Sequence, residues 1–171
     1  MIDWMLTWTV VLAVSTSIMA IAIGFTAGFA IIQWLNFKKS RYSALLMQII
    51  EMWNSTDYIT ARNLIGKYAC GNTEEERTNN FKNSMLTLDK DNAEGYLTVV
   101  KIANFFENLG FLTCKKDYLT KEDALDLFGG SARYYWAIFC ALANYDRHDR
   151  EPKRTDVWIY FEKLASYVSK E

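Results

Sequence analysis

After Asp3, charge is missing from the N-terminal part of this chain: none of the 34 residues from Trp4 to Phe37 is Asp, Glu, Lys or Arg. That absence excludes an ordinary amphipathic surface helix, which needs a polar face toward water. Histidine is almost absent too. His148 is the only one, which excludes a multi-histidine metal site. The three cysteines, Cys70, Cys114 and Cys140, lie too far apart in sequence for a compact Cys-rich zinc motif. Proline occurs once, at Pro152, and so leaves every helical stretch before it unbroken. No phosphate-binding P-loop and no GxSxG nucleophile elbow is present. Asp89–Gly95 is acidic but has the wrong residues at the ligand and glycine positions of an EF-hand, so it reads as a solvated helix-start loop. No metal, no cofactor and no small-molecule substrate is expected from these residues, and no catalytic set.

What is present starts with the uncharged run. A bilayer core about 30 Å thick is crossed by roughly 20 apolar residues in a helix, and residues 1–37 read as a single-pass transmembrane anchor. No Lys or Arg precedes it, as a signal peptide would require, and the apolar stretch is too long for one. Lys38, Lys39 and Arg41 follow it. By the positive-inside rule they place residues 38–171 in the cytoplasm, at the inner (cell) membrane, with the three-residue tip outside. Trp4, Trp8 and Trp34 suit the two interfacial belts. At 100° per residue, Ala13, Ser17, Ala20, Gly24 and Gly28 share one side with Thr9, Thr16 and Ala27. Ile18, Ile21, Phe25, Phe29 and Ile32 are assigned to the opposite side. Small residues let membrane helices approach closely, and hydroxyls can bond across the contact. The expected partners are therefore the lipid bilayer and further copies of the chain.

Residues 38–171 hold all 19 Lys and Arg and all but one of the 20 Asp and Glu, a balance that argues against a broad nucleic-acid-binding face. In a cytoplasmic domain the cysteines are expected to be reduced thiols, with Cys140 in the core. Helical signals recur throughout. Tyr42 to Trp53 keeps helical spacing, and no Pro or Gly separates it from the anchor after Gly28. Ser55, Thr73 with Glu76, Asn92, Thr120 with Asp123, Ser131 and Thr155 are expected helix caps. Stops are expected at Gly71, Gly110 and Gly129-Gly130. Phe111–Leu119 gives a weak extended signal. The fold class is all-α, a compact helical bundle continuing from a membrane helix.

Residues 145–154, Tyr-Asp-Arg-His-Asp-Arg-Glu-Pro-Lys-Arg, concentrate basic groups. They can face RNA phosphate or anionic lipid, or simply form a polar helix end and a solvated linker. Arg62 and Arg133 sit among apolar residues and read as half-buried partners in ion pairs.

The layout, with the blocks Ala61-Arg62-Asn63-Leu64, Asn104 to Gly110 and Phe128-Gly129, resembles the membrane accessory protein of type VI-B CRISPR systems. It also resembles a wider set of single-pass bacterial proteins. The resemblance implies a multimeric membrane pore that enhances RNA-guided antiviral defence, on a helical domain related to HEPN ribonucleases, with a CRISPR effector pathway or RNA as partner. HEPN nucleases carry an Arg ahead of a His with four to six residues between them. Here those positions before His148 are Ala143, Leu142 and Ala141. The expectation is therefore a non-enzymatic effector. Its alternatives are a non-catalytic adaptor or a membrane-tethered ribonuclease whose His148 is completed by Arg147 or Arg150 of a neighbouring copy.

Overall fold

The computed structural model describes residues 4–116 and 118–168. Met1–Asp3, the tip expected outside the membrane, lies outside the described residues. Among the described residues there is no strand, and the chain divides within its first helix into Met1–Leu45 and Leu46–Glu171. The sequence boundary at Lys38 marks where charge begins; the boundary at Leu46 marks where packing begins.

Helix α1, Trp4–Trp53, runs without a break, as the lack of Pro or Gly beyond Gly28 implies. One helix is thus long and apolar enough to cross a membrane, and none of its most apolar window is buried against the chain. A core helix of a water-soluble bundle would be covered. At its basic end Lys38 lies 3.8 Å from the centre of the Trp34 ring and Arg41 lies 4.5 Å from that of Phe37. Both cations fold back on anchor aromatics, the geometry of side chains that snorkel at an interface.

The unit from Leu46 is a helical bundle. Helix α2 is Thr56–Tyr68, α3 Glu74–Asp91, α4 Ala93–Cys114, α5 Lys121–Asn144 and α6 Ile159–Val168. A π-helical turn, Tyr145–Asp149, extends α5 and is closed by the Arg150 amide donating to the Tyr145 carbonyl at 2.9 Å. Helix α4 is central and packs against α2, α3, α5 and α6. Its side chains Val99, Ile102, Ala103, Phe106 and Leu109 are buried. Around Phe106 gather Trp53, Phe105, Tyr135 and Phe161, the last nearly parallel at 5.0 Å. A second aromatic group joins Phe81, Phe139 and Trp158.

The capping chemistry follows the sequence at three sites. Thr73 and Glu76 form the reciprocal capping box that opens α3. The Asn92 side chain accepts from the Gly95 amide and the Thr120 hydroxyl oxygen from the Asp123 amide. Ser55 precedes α2 but its hydroxyl donates backward to the Met52 carbonyl, so it makes no side-chain cap.

The glycine stops at 110 and 129–130 do not occur, and tertiary contact explains two of them. Helix α4 passes through Gly110 because α6 lies directly on it: a Cβ there would overlap the Tyr160 carbonyl. Helix α5 passes through Gly129-Gly130, so Ser131 is an interior residue and no cap. A Cβ on Gly129 would lie 3.1 Å from Val168, whereas one on Gly130 would meet nothing within 4 Å. Close packing at Gly110 and Gly129 offsets the cost of about 1 kcal/mol that an interior glycine carries relative to alanine. Phe111–Cys114 is helical rather than extended. Thr155 does not cap the last helix, which starts four residues later, after Trp158 at a φ of 50°. Cys140 is half-buried rather than in the core, and burial raises its thiol pKa.

Candidate functional site

On the anchor, a depression of about 560 Å³ is lined by Ile21, Gly24, Phe25, Gly28, Phe29 and Ile32. The small and large faces therefore adjoin instead of opposing each other; successive residues are only about 100° apart, so Gly24 and Phe25 share one edge. A Cβ on Gly24 or Gly28 would touch nothing. Ala13, Ser17 and Ala20 are exposed on the same helix. The hydroxyls are already used within it. Thr9, Thr16, Ser17 and Thr26 donate to the carbonyls of Met5, Leu12, Ala13 and Ala22 at 2.8–2.9 Å. Across a helix contact these oxygens are left as acceptors, not donors.

In the bundle, the basic stretch splits into two kinds of residue. Arg147 donates through Nε and a terminal nitrogen to the Val157 carbonyl at 2.9 and 2.6 Å, and through the other terminal nitrogen to Glu162 at 2.7 Å. Arg150 bridges Asp146, at 3.2 Å, and Asp89, at 3.0 Å. Asp146 is 1% exposed, so this pair is deeply set. Burial works against the Arg150 cation, yet its hydrogen bond to Asp146 and the charges of Asp146 and Asp89 raise its pKa. Tyr96 stands beside the same acids, its phenol pKa raised by burial and by Asp146 and Asp89. Both guanidiniums thus staple the π-turn to neighbouring helices. His148, Lys153 and Arg154 are exposed.

Polar residues that sequence reasoning passed over lie on α4. The Asn104 side-chain oxygen accepts from the Trp158 indole at 3.1 Å, and Glu107 accepts from the Phe161 amide at 2.8 Å. Glu107 therefore caps the first turn of α6 from another helix. Burial raises its pKa, while the Phe161 and Tyr160 amides and Arg147 pull it back. Asn104, Glu107 and Gly110 recur every three residues on the face toward α6, and that spacing was the available signal. Arg62 is half-buried but lies on a ring, 4.4 Å from the centre of Trp53, not in an ion pair. Arg133 is exposed, and among the described residues it forms no ion pair. Among the described residues no cluster of three or more His, Cys, Asp or Glu gathers that could hold a metal.

These features define a helical-bundle protein joined to a helix of membrane-crossing length. The chain belongs to the DUF4760 family, a domain of unknown function, which matches residues 17–167. That match includes Gly24 and Gly28 and begins after Ala13. No curated protein and no solved structure matches the chain.

Proposed function

We propose that the protein is an oligomeric single-pass effector of the inner membrane, with its helical bundle in the cytoplasm, and that its assembled anchors depolarise the membrane. The observation that carries this reading is the open depression at Gly24 and Gly28, on a helix that its own chain leaves uncovered. In lipid, close backbone approach and van der Waals packing drive association, and a glycine groove beside Phe25 and Phe29 offers both a groove and ridges to a second copy. Lys38, Lys39 and Arg41 support the orientation. The setting in RNA-guided antiviral defence rests on the resemblance alone and belongs to this proposal.

The test is a potential-sensitive dye on cells producing the protein during phage challenge, with the detergent-solubilised mass measured in parallel. Wild type and His148→Ala are expected to depolarise the membrane, while the double variant Gly24→Leu, Gly28→Leu loses both assembly and depolarisation. An unchanged assembly mass in the double variant overturns the interface. Loss of the response in an assembled His148→Ala variant overturns the non-enzymatic reading in favour of a ribonuclease site shared between copies.

A further inference from the structure

Between α3 and α5 lies a groove of about 360 Å³, within the range of small-ligand sites. Its α5 wall presents Gly130, Arg133, Tyr134 and Ala137, spaced i, i+3, i+4, i+7 on one helix face. Its α3 wall presents Glu74, Arg77 and Thr78. The Thr78 hydroxyl lies 3.0 Å from the Ala137 carbonyl and 2.9 Å from that of Glu74, so the two walls are tied together at the base. Gly130 keeps the floor open, since a Cβ there would meet no atom within 4 Å.

The arginines of this groove differ from those of the π-turn. Arg147 and Arg150 are bound to acids, whereas among the described residues neither Arg77 nor Arg133 takes part in an ion pair. One comes from each wall. Tyr134 is 51% exposed, with its ring centre 5.0 Å from that of Tyr135 and the two planes at 78°, so it offers an aromatic surface to the groove. Two guanidiniums recognise phosphate oxygens through paired N–H donors, and an aromatic face stacks a planar ring. Glu74 is an acceptor for sugar hydroxyls and repels a second anion.

We propose that this groove binds a mononucleotide, its phosphate between Arg77 and Arg133 and its base on Tyr134 over Gly130. A lipid headgroup could supply the same phosphate but not the flat ring. The assignment is independent of depolarisation, because binding is read whether or not the potential changes.

Calorimetry on the full chain in neutral-lipid nanodiscs tests it with adenosine monophosphate, adenosine, ribose 5-phosphate and inorganic phosphate. Adenosine monophosphate is expected to bind at least about tenfold tighter than the other three, and more weakly as salt rises. Arg77→Gln and Arg133→Gln should each weaken it at least about tenfold, the loss of one charge-assisted contact. Gly130→Leu should abolish binding without lowering the thermal midpoint, since leucine favours a helix more than glycine. Absence of binding, or full binding in both arginine variants, overturns the site. Equal affinity for ribose 5-phosphate overturns the stacked base. Arginine-dependent binding to phosphatidate vesicles, without binding of adenosine monophosphate, assigns the groove to a headgroup and overturns the nucleotide.

Discussion

Trp4 and Trp53 begin and end the same helix, and their surroundings have little in common. Trp4 is 72% exposed. Trp53 is packed among Tyr58, Phe105, Phe106, Phe128 and Tyr135 with Arg62 over its face. The residues between them change accordingly. Up to Ser40 every described side chain is exposed although most are apolar, and Ile49 is the first to be buried. The two stretches obey the same helical geometry, so local propensity does not separate them. The solvent for which each side was composed does. The apolar stretch turns the hydroxyls of Thr9, Thr16, Ser17 and Thr26 onto its own carbonyls and leaves its apolar surface uncovered by the chain. The bundle buries an aromatic core of its own and joins helices through Arg147, Arg150 and Glu107.

If that contrast is sound, deletions of equal size should have unequal consequences in the two regions. Phe106→Ala should cost the bundle about 3–5 kcal/mol in denaturant unfolding of the detergent-solubilised chain. Phe25→Ala, an equal deletion in the anchor, should change that unfolding by less than about 0.5 kcal/mol. A large effect of Phe25→Ala would mean that the anchor shares the bundle's core. Asp146→Ala leaves Arg150 with only Asp89 and should cost about 3 kcal/mol by the same measurement. Gly110→Ala, which forces α4 and α6 apart, should cost about 1–3 kcal/mol, while Gly24→Ala should leave bundle stability unchanged. The smallest effect concerns pH. Glu107 has a raised folded-state pKa, so the folded chain holds that proton more tightly than the unfolded one. The stabilising contribution is complete below the unfolded pKa and is lost as pH rises through the folded one. Wild type should therefore lose stability relative to Glu107→Gln as pH rises from the ordinary glutamate range through the raised folded-state value. A difference that grows in the opposite direction contradicts the burial of that carboxyl.

The long apolar first helix, the helical class and the caps at Thr73, Asn92 and Thr120 were legible because each depends on neighbours a few residues away. Gly110 and Gly129 were not. A glycine reads locally as a stop, but here it is a place where another helix approaches, and the approaching residues, Tyr160 and Val168, are distant in sequence. The fate of Arg147 and Arg150 was hidden for the same reason: the position of Asp89 cannot be read from residues 145–154. The groove between α3 and α5 was half legible. The stripe Gly130, Arg133, Tyr134, Ala137 follows a helical period, but only a helix continuing through Gly130 puts all four on one face.

The dependence of α6 on α4 has a consequence for how the chain is made. Ten residues are too few for a stable helix in water, and α6 starts where Asn104 and Glu107 receive Trp158 and Phe161. Ribosomes add about 5–20 residues per second. For seconds after Phe106 has emerged, its ring therefore lacks the neighbour that stacks on it at 5.0 Å. The nascent domain passes through that interval with an open aromatic seam. Under the proposed assembly, first helices of neighbouring copies would be free to meet before the domains they carry have closed.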